Sequence, residues 1–543
     1  MGSASGNAAR VLCRAGRQAA IAIMGTLTGF VGASKRRQVV MRLMGAVLLA
    51  VGVFTLAGGH ARLQASLMSR RLCKAGYRID LKSFDLKMPP ELSAVAGVLA
   101  DAGRASRDFP NRLAKERRTI GADSAVPLWR LTRLEHAGLG DFWRLLDQHF
   151  ASNQVALETA CQTLQAGPVR IALGGAMNLG ENMPQAPDAQ FLGEALAART
   201  MRELHQGRQE LAWTHLIATT RLATAWEAGP FEIEHLVRFA CVEIAWQTTW
   251  SALQAHCWSE EQMAGLQREW EAASFRRNYL QSAALMRAAM LELCERARSE
   301  GPVSVAGPGF FAPAGSRIDY YLPRPLSLVA DARNVVRGTL APLWYRNHGF
   351  FTDQVAVMRH YRAKEDALRV ALELPTWSQI RCVPGITNSL SLEAVEGREV
   401  VNSFNSHQIT QTCISRGTAP LGRLATAEAY RQLAIAALAI ERYRLIHGRY
   451  PENLPSLGGL VGGPLTDPMD GLPLRYRAFN DGTFLLYSVG LDCRDDGGRL
   501  DTSEVQPGLS RQTGDLVWPR QALPLCRYGR LAPVESEDGV GGS

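Results

Sequence analysis

Three hydrophobic regimes divide the chain. The first is Leu43–Gly58, LMGAVLLAVGVFTLAG, sixteen residues without a charged side chain. As a helix it would span about 24 Å, short of a hydrocarbon core of about 30 Å. Val39, Val40 and Met41 lengthen it if Arg42 extends its guanidinium to the headgroups. The run reads as a transmembrane or signal-anchor helix over 43–58. A signal peptide cleaved near Gly59-His60-Ala61 and a buried soluble helix are the competing readings.

The second regime is helical. Between Phe231 and Gly301 there is no proline, and Gly265 is the one internal glycine. Helices are predicted near 232–256, 260–274 and 277–299, the middle one opening on Ser259-Glu260-Glu261-Gln262, a capping-box pattern. Upstream, helices over Asp188–His205 and Arg208–Glu227 break at Gln206-Gly207 and end at Gly229-Pro230. Ala212, Leu216, Thr220 and Ala223 keep helical spacing in the second of these. A further helix is predicted over Asp141–Ala166. Residues 80–300 thus form a helical domain, either an irregular bundle or a TPR-like array of hairpins, although no strict period is present. Gly301–Pro325 holds five prolines and four glycines and reads as loop. Helix resumes over Leu326–Val336 and Phe351–Leu374, so 301–420 is an irregular linker with helices.

The third regime begins near residue 421. Tyr430, Leu433, Ala434, Ala437 and Leu438 recur at i, i+3, i+4, i+7 and i+8, predicting a helix that ends at His447 before Gly448. Strands are predicted over Leu474–Phe479 and Thr483–Val489, joined by an Asn480-Asp481-Gly482 turn. Gly490–Gly498 is an acidic, glycine-rich loop, and Gly514-Asp515-Leu516-Val517-Trp518 is a third short strand.

Charge changes the picture only at one end. Lys and Arg number 60 against 51 Asp and Glu, a net +9. Twelve of the basic residues, Arg10 to Arg78, precede the first acidic one, Asp80, leaving 48 basic against 51 acidic. A globally basic nucleic-acid domain is excluded, and no nucleic-acid partner is expected. Residues 1–42 read as a basic flexible extension, with Met41 an alternative start. The Lys35-Arg36-Arg37 cluster orients the apolar run with its N-terminus inside, although Arg62, Arg70, Arg71, Lys74 and Arg78 nearly balance the count. Residues 521–543 read as a flexible tail.

Chemical signatures are sparse. The ten cysteines include no C-x-x-C pair. Cys241, Cys257 and Cys294 read as small buried residues, and Cys493 and Cys526 could pair in an oxidising compartment. There is no G-x-S-x-G, H-E-x-x-H, Walker loop or G-x-G-x-x-G. His348, His360 and His407 are scattered. The run from Arg359 through Arg362, Lys364, Glu365 and Asp366 reads as a solvated helix face with i, i+4 pairs. Trp246 and Trp250 share a helix face and are expected in the core.

Residues 424–518 carry a resemblance. The helix ending in Glu441-Arg442-Tyr443-Arg444-Leu445-Ile446-His447-Gly448-Arg449-Tyr450-Pro451 is followed by Asp467-Pro468, Leu474-Arg475-Tyr476, Tyr487-Ser488-Val489-Gly490-Leu491-Asp492 and Gly514-Asp515-Leu516-Val517-Trp518. This order resembles the C-terminal half of the major pseudopilin of type II secretion systems, implying a small α+β module over 421–520. The chain departs from that family in lacking a prepilin-peptidase site ahead of a helix continuous with the module, so it looks unlike a fibre subunit. Its longer layout is similar to uncharacterised membrane proteins of planctomycete and verrucomicrobial bacteria. The resemblance implies calcium, with Asp492 and Asp515 matching the family's acidic positions and Asp495, Asp496 and Asp501 in the loop between. The loop is not an EF-hand: Arg494 stands at the third position and Ser503 where the bidentate Glu belongs.

The expected protein is mainly α, anchored in the bacterial inner membrane by a single pass, with lipid contact through residues 43–58 and its bulk outside the cytoplasm. A structural or partner-binding role among envelope proteins is expected, linked to secretion through its module. The alternative is an enzyme or ligand-binding protein with a site in residues 301–420. The two separate on whether that segment holds a pocket with converging titratable groups.

Overall fold

Helix formation follows the punctuation of the sequence. The computed structural model describes residues 33–84, 90–107, 142–167, 188–226, 232–300, 343–384, 420–480, 482–498 and 514–518. The apolar run lies inside a much longer helix, α1 (Ala33–Lys74), because no proline interrupts the chain up to Gly76. Next come α2 (Pro90–Ala105), α3 (Phe142–Ser152) and α4 (Gln154–Ala166). The single helix expected over 141–166 is therefore two, parted at Asn153, and Asp141 lies outside the described residues. Helices α5 (Asp188–His205) and α6 (Gln209–Thr224) break as expected at Gly207, where the Arg208 N–H closes on the Glu203 carbonyl at 2.8 Å. They are followed by α7 (Glu232–Leu253), α8 (Glu260–Ala272) and α9 (Tyr279–Glu300). The capping box forms in full: Ser259 Oγ accepts from the Gln262 N–H, and Gln262 Oε1 from the Ser259 N–H.

A π-helical turn (Tyr345–Gly349) leads into α10 (Phe350–Glu373) and the short α11 (Trp377–Ile380). The predicted loop 301–325 and helix 326–336 lie outside the described residues. Helix α12 (Pro420–His447) stops at Gly448, whose φ of 72° suits glycine. A 3-10 segment (Leu454–Leu460) follows, then β1 (Arg475–Ala478), β2 (Phe484–Ser488) and β3 (Leu516–Trp518). The strands form an antiparallel meander in the order β1-β2-β3, with Arg475 opposite Tyr487 and Leu486 opposite Trp518.

The described residues fall into two compact units, one holding those up to Met68 with 343–355, the other holding the rest. In the second unit one core runs from Leu99 on α2 to Trp518 on β3. The described residues of 80–300 and of 421–518 share this core. Helix α12 joins them, packing on α7 and α8 and also on the 3-10 segment, β2 and β3. Each residue from Leu433 to Ile440 is at most 5% exposed, so α12 is buried on every face there. Trp246 packs on Tyr430 and Trp518, with ring centroids 4.5 and 5.6 Å away, and Trp250 is buried beside it in sequence.

Buried arginines close helix ends. Arg238 donates to the carbonyls of Ala223, Thr224 and Ser274. Arg287, fully buried, donates to the Arg78 carbonyl and to Glu365 at 2.8 Å. This corrects the reading of 359–366 as a solvated face. Arg362 and Asp366 do pair near the surface, but Glu365 is buried and Lys364 bonds Glu232 at 2.7 Å. Cys241 and Cys294 are buried and Cys257 half-buried; Cys526 lies outside the described residues.

Because Leu438 touches core on all sides, Leu438→Ala should lower stability by about 2–5 kcal/mol, read as a lower denaturant midpoint at unchanged slope. Residues 420–518 expressed alone should show no cooperative melt, since separation exposes the α12 surface that α7 and α8 cover.

Candidate functional site

The described residues singled out for metal binding, Asp492, Asp495, Asp496 and Asp515, lie around the sheet's last turns. Their framework is Asp467, which has no exposed surface. Its Oδ1 accepts from the Met469 N–H at 2.9 Å and from Ser488 Oγ at 2.8 Å. Its Oδ2 accepts from the Val489 N–H at 3.0 Å and from Arg475 Nη1 at 3.1 Å. Burial pushes this carboxyl up, against the pull of those hydrogen bonds. Arg475 also reaches Asp470 at 2.5 Å and Asp495 at 3.4 Å, so one guanidinium ties three carboxylates. The Asp-Pro of the resemblance is thereby a structural knot between the turn and β2.

Of the five predicted ligands, Asp492, Asp495, Asp496 and Asp515 are described and Asp501 is not. Asp492 is engaged locally: its side chain accepts from the Arg494 N–H, and its carbonyl accepts from Arg381 at 2.8 Å. Helix α11 holds this stretch, with Trp377 Nε1 donating to the Leu491 carbonyl at 2.9 Å. Asp495 is committed to Tyr487 Oη at 2.8 Å, the Gly497 N–H and Arg475. Desolvation raises its pKa, but these donors outweigh it and leave it low.

Asp515 differs. Only 6% exposed, it accepts from the Asp496 and Gly498 N–H groups through Oδ2, while its buried Oδ1 has no partner among the described residues. Burial, together with the charges of Asp495 and Asp496, moves it up to about 6 despite the two N–H donors. The loop can close so tightly because of Gly498, at φ 72°. A Cβ there would sit 2.9–3.1 Å from Tyr487 and Leu485. Among the described residues no three possible metal ligands converge.

A second polar site had no sequence signal. Helices α3 to α6 enclose a cleft of about 460 Å³. Arg199, Arg202 and Arg208 enter it with Asp147, Glu158 and Glu203, alongside Cys161 and His215. Arg202 pairs with Asp147 and with Glu203 at 2.8 Å, and Arg208 pairs with Glu203 at 2.6 Å. Cys161 Sγ lies 3.4 Å from His215 Nδ1. Burial drives the thiol up to about 11. It drives the imidazole down to about 3, helped by Arg199, Arg202 and Arg208. Both are neutral near pH 7, so the pair is not a thiolate–imidazolium nucleophile. The residues come from four helices, 147 to 215, and no short motif announces them.

Of the predicted irregular segment 301–420, residues 343–384 are described. His348 stacks on Trp344, and His360 is buried against Tyr361, with burial and then the Lys364 charge lowering it to about 4. His407 lies outside the described residues. No protein family, curated protein or solved structure matches the chain.

Asp515 titrates in a usable window. A carboxyl raised from 3.8 to about 6 by folding leaves stability unchanged below pH ~4, where both states are protonated. Stability then falls as pH rises to about 6 and stays lower above it. With a chelator present, Asp515→Asn should keep the Oδ2 bonds through its amide oxygen and remove the charge. It should therefore exceed the wild type at pH 7.5 by on the order of 1–2 kcal/mol, the gain vanishing below pH 4. Equal unfolding curves at both pH values would refute this.

Proposed function

We propose that this is a membrane-anchored protein of the bacterial inner membrane, its body outside the cytoplasm, serving the envelope as a structural or partner-binding element. The observation that carries the reading is α1. Arg37–Lys74 is long and apolar enough to cross a membrane, its most apolar 18 residues having a mean hydropathy of 2.2 and none of them buried. Met41, Leu48, Leu49 and Leu56 are 68–76% exposed, apolar surface that water would disfavour. Arg42 and Arg62 bracket the uncharged stretch, and twenty residues of helix span about 30 Å, the thickness of a hydrocarbon core.

The far end of that stretch carries features suited to a lipid boundary. Asn347 Nδ2 donates to the Phe54 carbonyl at 2.7 Å, a bond that gains in a medium poor in donors. Gly58 makes room for it: a Cβ there would meet the Asn347 side chain at 2.2 Å. Trp344 packs on Phe54, and Arg62 lies over the Phe351 ring at 5.6 Å, an aromatic and basic grouping favoured near headgroups.

In fractionated cells the chain should stay with membranes through high salt and alkaline carbonate. Leu48→Lys combined with Val51→Lys should move it to the soluble fraction, each charge adding about 3 kcal/mol to insertion. Protease shaving of spheroplasts should digest the body. Full protection until disruption would reverse the orientation, and release by salt alone would remove the anchor.

A second reading, calcium at the pseudopilin-like loop, is favoured by the partnerless Oδ1 of Asp515 beside the loop aspartates. Asp492, turned towards the Arg494 N–H, would have to rotate, and further oxygens would come from Asp496 and Asp501. In the full chain in detergent, millimolar calcium should raise the melting temperature where magnesium does not. Asp515→Ala should abolish the rise and Asp101→Ala, on α2, preserve it. A melting temperature indifferent to calcium removes the metal without touching the anchor.

A further inference from the structure

The arginines buried in this protein follow a pattern from which one departs. Arg238 and Arg287 hand their donors to backbone carbonyls and a carboxylate. Arg199 on α5 is 9% exposed, yet its Nε and Nη1 are buried with no partner. Its carboxylate contact is Glu158, through Nη2 at 3.3 Å, and that side chain is 47% exposed. The ring of Phe150 covers the guanidinium at 5.8 Å. A desolvated cation held by half an ion pair is unfavourable for the fold and calls for an explanation.

The surroundings define what is missing. In the cleft between α3 and α6, Arg202 and Arg208 already have Asp147 and Glu203. With Glu158 on Arg199, three arginines and three carboxylates face one another, but Arg199 is held through Nη2 alone, and its other donors, Nε and Nη1, have no acceptor among the described residues. Phe150, Ala151 and Leu211 give the cleft an apolar wall, while Gln154, Gln162 and Gln165 offer amide donors and acceptors. About 460 Å³ lies in the range of small-molecule sites. Glu158 is held from the other side by Gln154 Nε2 at 2.9 Å, and both side chains lie on the surface turn of α4 where they can swing outward.

We infer that this cleft is a binding site for a small carboxylate-bearing molecule with a short apolar body, whose carboxylate displaces Glu158 from Arg199. The apolar body packs on Phe150 and Leu211, and the glutamine amides select its polar atoms. The Cys161–His215 pair forms part of the wall. The site is independent of the membrane reading and would be present in a soluble chain.

The test uses the full chain in detergent and four probes: hexanoate, N-acetyl-leucine, N-acetyl-leucinamide and inorganic phosphate, each titrated to about 10 mM by calorimetry. At least one of the two carboxylates should bind, hexanoate pointing to an acyl-chain acid and N-acetyl-leucine to a peptide-like terminus. The uncharged amide and phosphate should bind at least about tenfold more weakly. Arg199→Gln should remove carboxylate binding by at least about tenfold. It should leave the unliganded melting temperature equal or higher, because a half-paired buried cation is lost. Glu158→Ala, which removes the competing carboxylate, should tighten binding severalfold, and Arg296→Gln on α9 should change nothing. Absence of binding by both carboxylates would overturn the site, as would equal binding of the amide or undiminished binding by Arg199→Gln. A collapse of unliganded stability in Arg199→Gln, without tighter binding in Glu158→Ala, would make Arg199 a structural residue and overturn it equally.

Discussion

Between Leu433 and Ile440 every side chain of α12 is enclosed, and that enclosure governs how the second unit is built. A helix buried on one face can be served by one partner layer, but a helix buried all round needs partners on opposite sides. Here they are α7 and α8 on one side and the meander with its 3-10 segment on another. The alanines at 434, 436, 437 and 439 let neighbours approach closely, while Leu433, Leu438 and Ile440 fill the space between them. The C-terminal sheet is small, three strands of three to five residues, and a sheet of that size is not stable without such a backing.

Polar groups inside this packing are handled by local, charge-assisted knots. Asp467 gathers two N–H groups, a hydroxyl and a guanidinium around one carboxylate. Arg238 takes the carbonyls at the end of α6, which a helix terminus leaves without partners. Such satisfied groups fix geometry, because a shift of any member would strand another in a low-dielectric interior. Asp515 Oδ1 and the Arg199 guanidinium are among the groups not handled in this way: each is buried, ionisable and incompletely served by the described residues.

Much of this was legible in the sequence. Helix breaks at Gly207 and Gly448 and the capping box at Ser259 are local events, set by residues within four positions of each other, and each formed where its pattern placed it. The three strands likewise formed within the predicted spans. The misses are non-local. The stretch 433–440 is apolar at every position, which signals a helix buried all round, whereas the i, i+3, i+4 reading gave it one apolar face. Glu365 reads as one charge in a surface run because Arg287, its partner, lies 78 residues away. The cleft was invisible for the same reason: its arginines, acids and Cys161–His215 contact are spread over four helices. Asn153 ended α3 without a glycine or proline to mark it.

Buried charged groups that lack acceptors or donors are informative where they face a cleft or an acidic loop. Evolutionary tolerance for an orphaned buried atom is low, since each weakens a structure that is only marginally stable. Replacing Arg199 by an apolar residue of similar length would relieve the unpaired charge at no evident loss of packing. The residue instead sits beside Arg202 and Arg208, which share Glu203, at the wall of a cavity large enough for a small molecule. Asp515 sits likewise in an acidic loop pinned by α11 and by Gly498. At both places a partner of opposite charge would supply what the described residues do not, and that is a pattern expected of sites that bind something.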